Sequence, residues 1–245
     1  MKSDMKRYLT LLLAAVLTVS CGVLKADKAP KTVVIIGDSY STFEGYIPNG
    51  YADWYTLRGR SDNNVRTVEQ TWWYQLCTEK GLKLIANNSF SGSTVCNTGY
   101  DGVDYTHESF VTRMSQTLHY SSDGFNQPCE EKNAPDILFI FGGTNDSWAN
   151  SPIGEPKYSD WTNEDLYSFF PAFCCLLDYY KREAPSTRVI VMINDGLKPE
   201  MMTGMAEIST HFGYEYIQYD GIEEGAGHPT ILGMKQIADA IRKML

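Results

Sequence analysis

A serine, a histidine, an amide and a glycine occupy segments of the chain where they could act together on a carbonyl group. A Gly-Asp-Ser motif ends at Ser39 directly after an apolar run, and His228 precedes the last helical pattern. A serine hydroxyl becomes a nucleophile when a nearby imidazole takes its proton. Gly92 lies in a loop of small residues and Asn145 in a Gly-rich turn, and both could donate N–H groups to an oxyanion. These residue types predict nucleophilic attack by Ser39 with His228 as its base.

The segments that must position these residues alternate between apolar runs and helical patterns. Five apolar runs predict β-strands, at residues 32–36, 82–86, 136–141, 188–193 and 214–219. Four of these runs are apolar almost throughout, which is typical of parallel strands covered on both faces. Helical patterns lie between and after them, at residues 69–80, 105–118, 163–183, 199–212 and 229–244. The alternation predicts an α/β fold of three layers, α/β/α, with a doubly wound, five-stranded parallel sheet of the flavodoxin-like kind.

The candidate residues stand at the ends of these predicted strands. Ser39, Gly92 and Asn145 each follow one of the first three strands in the chain. Ligands of open α/β folds bind outside the carboxyl ends of the strands. We therefore expect the three residues to meet at one edge of the sheet.

In order and in context, these segments resemble the sequence blocks of the SGNH hydrolases, also called the GDSL esterase/lipase family. The resemblance spans residues 32–244 and implies the SGNH hydrolase fold and a carboxylic ester hydrolase that uses no cofactor and no metal. It implies that Ser39 is the nucleophile and His228 the general base. The backbone N–H groups of Ser39 and Gly92 and the side-chain amide of Asn145 would form the oxyanion hole.

The chain departs from the family pattern at the acid that supports the histidine. The family places that acid three residues before the histidine, where this chain has Gly225. The favoured substitute is a backbone carbonyl, which can orient the imidazole but carries no full charge. Glu224 or Glu223, and Asp220 after the last predicted strand, are the alternatives. Asp146 is expected to brace its turn and not to touch the substrate.

Two long segments, residues 40–68 and 146–162, are expected to form walls of the site, because both leave the carboxyl ends of strands. They are rich in aromatic residues, among them Tyr46, Trp54 and Trp148, which could stack on sugar rings. Neither contains an aliphatic stretch that would suit a long acyl chain. We therefore expect hydrolysis of a small acyl ester, acetyl above all, on a carbohydrate. The alternatives are a lipase, lysophospholipase or thioesterase, a transferase that moves acetyl groups to a sugar, and a non-catalytic surface protein that binds glycans.

The first 20 residues predict a signal peptide, with a basic start and an apolar run that is too short to cross a membrane as a stable helix. The small residues before Cys21 resemble a bacterial lipobox, although Thr18 stands where an aliphatic residue is usual. We expect an exported protein, lipid-anchored at Cys21 to the periplasmic or outer side of a bacterial membrane; plain secretion is the alternative. Residues 21–31 would form the linker and residues 32–245 one hydrolase domain.

Charge and cysteine content exclude several other partners. With 21 basic and 30 acidic side chains, the net charge of −9 argues against a protein that binds nucleic acid through its phosphates. The five cysteines beyond Cys21 form an odd set without metal-binding spacing, and their pairing is open. An ester substrate is thus the expected partner, the membrane is contacted only through the anchor, and the oligomeric state is open.

Overall fold

The computed structural model describes residues 29–245. The predicted signal peptide, Cys21 and most of the predicted linker lie outside the described residues. None of the helices within residues 29–245 combines the length and the apolar character that a membrane span requires.

A five-stranded sheet forms the middle layer of the described chain. Its strands are β1 (Thr32–Gly37), β2 (Lys83–Ser89), β3 (Ile137–Phe141), β4 (Arg188–Ile193) and β5 (Glu215–Gln218). They are ordered β2-β1-β3-β4-β5, and every neighbouring pair is parallel. This confirms the predicted strands and their flavodoxin-like arrangement, in which the order of the strands reverses beside β1.

Helices cover both faces of the sheet, as the apolar runs predict. They are α1 (Trp72–Lys80), α2 (Phe110–Arg113), α3 (Thr144–Trp148), α4 (Phe169–Glu183), α5 (Pro199–Phe212) and α6 (Ile231–Arg242). The buried side chains of α1 and α6 pack with alternate strand residues such as Val33 and Ile35. Those of α2, α4 and α5 pack with Val34 and Ile36 on the other face. The three-layer prediction is therefore confirmed.

Two predicted helices are shorter in the structure. The segment 105–118 contains only the single turn of α2 and a 3-10 helix at Met114–Leu118. The N–H of Tyr105 donates to the Asn97 carbonyl (2.8 Å), which ties the preceding residues to a neighbouring loop. The segment 163–183 begins with a 3-10 turn, and α4 starts only at Phe169.

A small hairpin that the sequence did not predict precedes the last helix. Strands β6 (Glu224–Gly225) and β7 (His228–Pro229) pair in antiparallel fashion, with Gly225 opposite His228. Helix α6 starts only at Ile231, and the Thr230 side chain caps it by accepting the N–H of Gly233. His228 therefore lies on a hairpin that the sequence did not indicate, a short distance before α6.

Candidate active site

Ser39 lies at the carboxyl end of β1, in a tight turn that its neighbours hold. The Asp38 carboxylate accepts the N–H of Tyr40 at 3.0 Å and caps this turn. The Asp38 N–H donates to the Phe141 carbonyl at 3.3 Å, which joins the turn to β3. Gly37 leaves no room for a side chain, since an added Cβ would lie 2.6 Å from Ser89 Oγ. Close packing of β1 against its neighbour thus fixes where the Ser39 hydroxyl lies.

The imidazole of His228 contacts this hydroxyl directly. Its Nε2 lies 3.0 Å from Ser39 Oγ, and its Nδ1 lies 3.0 Å from the Ala226 carbonyl oxygen. Because a carbonyl can only accept a hydrogen bond, Nδ1 carries the proton and Nε2 is free to accept one from Ser39. Burial lowers the pKa of His228 to about 4, so the ring is neutral at neutral pH. The pair has the geometry of a nucleophile with its general base.

The loop after Ser39 holds the hairpin that carries His228. Asn63 Nδ2 lies 3.2–3.3 Å from the backbone carbonyls of Gly225, His228 and Pro229. The Tyr55 hydroxyl donates to the Pro229 carbonyl at 2.7 Å. Sequence reasoning assigned residues 40–68 to the wall of the site, and missed that this segment also positions the base.

Glu224 is near the site but bonds to a different partner. The Tyr40 hydroxyl lies 2.6 Å from Glu224 Oε1 and 3.0 Å from the Gly227 carbonyl. The Tyr40 ring in turn lies against His228 at a tilt of 52°, with centroids 5.4 Å apart. Glu224 therefore helps to hold the hairpin through Tyr40, without a hydrogen bond to His228.

The other two predicted acids, Glu223 and Asp220, form no hydrogen bond with His228 within residues 29–245. The Glu223 N–H donates to Gln236 Oε1 at 2.8 Å, and the side chains of Glu223 and Asp220 are exposed. Of the candidates for supporting His228, the structure places only the Ala226 carbonyl against Nδ1.

Gly225 explains why the family's acid has no place in this chain. A Cβ at Gly225 would lie 2.7 Å from the carbonyl oxygen of Asp62. The segment that clamps the hairpin thus occupies the space that an aspartate side chain would need. A carboxylate at this position and the observed packing exclude each other.

The amide of Asn145 is aimed by two partners. Its Nδ2 donates to the Ser93 carbonyl at 2.9 Å, and its Oδ1 accepts the Tyr100 hydroxyl at 2.9 Å. These two bonds determine which terminal atom of the amide is the nitrogen and which is the oxygen. They leave the second hydrogen of Nδ2 free for a ligand. Tyr100 is a site residue that sequence reasoning missed, because nothing in its local pattern indicates a contact with Asn145.

Two backbone N–H groups complete the candidate oxyanion hole. Those of Ser39 and Gly92 donate to no other group within residues 29–245. Gly92 has a φ of 91°, a conformation that a side chain would strain, although an added Cβ would meet no neighbour there. The glycine is therefore required by the turn that presents its N–H and not by lack of space.

Asp146 braces the loop that follows Gly92, whereas the sequence led us to expect that it braces its own turn. Its carboxylate accepts the N–H groups of Val95 and Cys96 at 2.8 and 3.1 Å. Complete burial raises its pKa to about 6, and burial likewise raises that of Asp38 to about 7.

The buried guanidinium of Arg113 ties the ends of the first two strands together. It donates to the backbone carbonyls of Gly37 and Asn88 and to Ser93 Oγ. Burial lowers its pKa to about 10, which leaves it charged at neutral pH. Sequence reasoning missed Arg113, since a single arginine in a short helical segment gives no signal of burial.

The three aromatic candidates have different surroundings. The Trp54 ring stacks on His228 with centroids 3.7 Å apart, and Trp148 meets His228 edge to face at 5.8 Å. Tyr46 packs instead on Trp73 and Phe125, with centroids 5.8 and 5.9 Å away. These rings hold Tyr46 in an apolar cluster beside α1, and its role as a substrate-binding residue stays a prediction.

No disulfide joins the cysteines of residues 29–245, and four of these five cysteines have thiols whose pKa is raised by burial. In the same part of the chain, no three His, Cys, Asp or Glu side chains are grouped as a metal site would require.

A three-layer α/β/α fold with a serine and an amide after strands of its parallel sheet, and a histidine brought to that serine by a hairpin, defines a serine-type acyl hydrolase. Residues 31–245 match the family model of the GDSL-like lipases/acylhydrolases, and the chain belongs to this family of ester hydrolases. The comparison with curated proteins produced no match.

Solved structures agree with this assignment. A protein of Bacteroides ovatus described as a GDSL-like lipase is 42% identical, with a TM-score of 0.80 over 89% of this chain and 98% of its own. A protein of Bacteroides uniformis with the same description is also 42% identical, with a TM-score of 0.79 over 88% and 95%. A family two carbohydrate esterase from Cellvibrio japonicus shares the fold at 12% identity, with a TM-score of 0.53 over 87% and 60%.

Proposed function

We propose that the protein hydrolyses small acyl esters, acetyl above all, on carbohydrates. The observation that carries this proposal is the half-exposed Trp148, whose ring stands edge-on beside His228 and is 41% exposed. An exposed indole next to a nucleophile offers the flat apolar face on which a sugar ring stacks. The alcohol part of the ester would thus be a sugar.

Two apolar cavities within residues 29–245 lie apart from the nucleophile and give no support to a long acyl chain. One of about 250 Å³ is lined by residues such as Tyr46, Trp73 and Phe125, and one of about 200 Å³ by residues such as Tyr120. Ser39 lines neither of them. A lipase would need an apolar cavity that begins at the nucleophile.

The reaction follows from the geometry of the site. Ser39 Oγ attacks the ester carbonyl while His228 Nε2 takes its proton, and the Ala226 carbonyl holds the Nδ1 proton in place. The N–H groups of Ser39 and Gly92 and the amide of Asn145 stabilise the oxyanion, each by about 3 kcal/mol. His228 then protonates the sugar oxygen as the bond between that oxygen and the acyl carbon breaks. The acyl group remains on Ser39 as an acyl-serine. Water attacks this intermediate with His228 again as base, and the acid and free serine are released.

The direction of β1 separates the N-terminal end of the domain from the site. We propose that the chain is exported and carries a lipid anchor at Cys21. The linker would then enter β1 at Thr32, and the six residues of β1 separate that end from Ser39 by roughly 20 Å. The anchored end of the domain and the site would thus lie at opposite ends of β1, which favours a substrate outside the bilayer.

A series of nitrophenyl esters from acetyl to octanoyl, measured beside acetylated xylan and pectin fragments, tests the proposal. We expect hydrolysis to be fastest with acetyl, acetate to be released from at least one glycan, and Ser39→Ala to abolish both. Rates that rise from acetyl through butyryl to octanoyl would indicate a lipase or thioesterase. Binding of glycans without turnover, unchanged in Ser39→Ala, would indicate a binding protein.

A further inference from the structure

Trp54 lies between the catalytic imidazole and a guanidinium. Its ring is nearly parallel to that of His228, with an interplanar angle of 9° and centroids 3.7 Å apart. Arg60 Cζ lies over the same indole, 4.6 Å from its centroid. Two groups this close to one ring cannot share a face without colliding, so His228 and Arg60 cover opposite faces.

Both faces of Trp54 are therefore occupied before any substrate arrives. A sugar ring stacks on a free aromatic face, and Trp54 has none to offer. On this inference Trp54 does not stack on the substrate, in contrast to the prediction from the sequence. Trp148, which touches His228 only through an edge contact, keeps exposed surface for that role.

Trp54 is also fixed relative to the nucleophile. Its backbone N–H donates to Thr42 Oγ1 at 2.9 Å, and the Thr42 hydroxyl donates to the Ser39 carbonyl at 3.0 Å. Its ring meets Tyr55 edge to face at 4.6 Å. Trp54 thus joins the turn of Ser39 to the plane of the imidazole, and it can hold the two in register.

On the proposed serine esterase activity, we propose that Trp54 is a positioning residue that substitutes for the missing carboxylate. It fixes the plane of the His228 ring, and its π face stabilises the imidazolium that forms when Ser39 gives up its proton. The carboxylate of a triad does both through an ion pair. Here the Ala226 carbonyl supplies the hydrogen bond, and the indole face supplies the attraction to positive charge.

The charged and titratable groups around His228 are consistent with this division of roles. Burial is the largest cause of the low pKa of His228. The charge of Arg60 also lowers this pKa, whereas Asp62, the ion-pair partner of Arg60 at 3.3 Å, raises it. Tyr55 meets the ring edge to face, Tyr40 meets it at a tilt, and Glu224 bonds to Tyr40. No carboxylate among these groups forms a hydrogen bond with His228 in residues 29–245.

The test compares Trp54→Leu and Trp54→Phe with Trp148→Leu, on nitrophenyl acetate and on an acetylated glycan. Stabilisation of an imidazolium acts on kcat, so Trp54→Leu should lower kcat about 10-fold on both esters and leave KM unchanged. Trp54→Phe keeps a π face and should recover most of the loss. Trp148→Leu should instead raise KM on the glycan more than it lowers kcat on either ester.

The outcomes separate this inference from the proposed activity. Hydrolysis by the wild type that Ser39→Ala abolishes establishes the activity, whatever Trp54 does. With that in hand, a Trp54→Leu variant that raises KM on the glycan and spares kcat on nitrophenyl acetate would overturn the inference. If Trp54→Leu does not fold, Trp54→Phe decides between the two roles. A Phe variant that raises KM on the glycan and keeps the kcat of the wild type would contradict the positioning role of Trp54.

Discussion

Replacing Gly225 by aspartate restores the family's acid in the sequence, yet we expect it to inactivate the protein. The new Cβ would lie 2.7 Å from the Asp62 carbonyl oxygen, about 0.7 Å closer than ordinary contact. Gly225 pairs with His228 in the hairpin, so relief of this clash displaces the imidazole from Ser39. Misplacement of a catalytic group by about 1 Å can cost roughly 100-fold in rate. We therefore expect kcat/KM to fall by about that factor.

Gly225→Ala is the matched control, because it adds the same Cβ without a carboxylate. Overpacking of this kind costs about 1–3 kcal/mol of stability, and both variants should lose a similar amount in chemical denaturation. Both should also lose a similar factor in kcat/KM on nitrophenyl acetate. An aspartate variant as active as the wild type, beside an impaired alanine variant, would refute the reasoning, since it would mean that the hairpin adapts and accepts a carboxylate.

Four further outcomes follow from the site. Asn145→Ala should lower kcat about 100-fold or more with little change in KM, since the amide acts on the oxyanion. Asn63→Leu removes the amide that donates to the hairpin carbonyls, among which that of Pro229 keeps the Tyr55 hydroxyl named above, and should cost about 1–3 kcal/mol in denaturation and lower kcat. The acid limb of the kcat/KM profile should lie near pH 4, because His228 must be neutral to act as base and its pKa is about 4. The pKa of Asp38 is raised to about 7, so the folded state binds this proton more tightly than the unfolded state. The difference in free energy of unfolding between the wild type and Asp38→Asn should therefore fall as pH rises from about 4 to 7, because the opposing contribution of His228, whose pKa is lowered, is present in both proteins.

The parts of the site that follow strands could be predicted from the sequence. Ser39, Gly92 and Asn145 each follow an apolar run within a few residues, and the topology of a parallel sheet brings the carboxyl ends of its strands to one edge. Local sequence thus determines both the element and the position on it. The same reasoning placed a backbone carbonyl first among the supports of His228, because Gly225 carries no side chain.

The parts that depend on contacts between distant loops could not be predicted. Tyr100 aims an amide 45 residues away, and Asn63 clamps a hairpin more than 160 residues further along the chain. Tyrosine and asparagine are common in loops, so their types carry no signal of such roles. The contacts of Trp54 could not be predicted for the same reason. The sequence around Trp54 is rich in aromatic residues, but which groups cover the faces of its ring depends on the fold of the whole segment.

Release of acetate from acetylated polysaccharides by the wild type and by Ser39→Ala tests the central claim most directly. We expect the wild type to release acetate without added metal or cofactor, and the variant to lose at least about 1,000-fold of the rate, because removal of the nucleophile leaves only binding and the oxyanion donors. Equal release by both proteins, or none by a folded wild type that hydrolyses long acyl esters, would contradict the account.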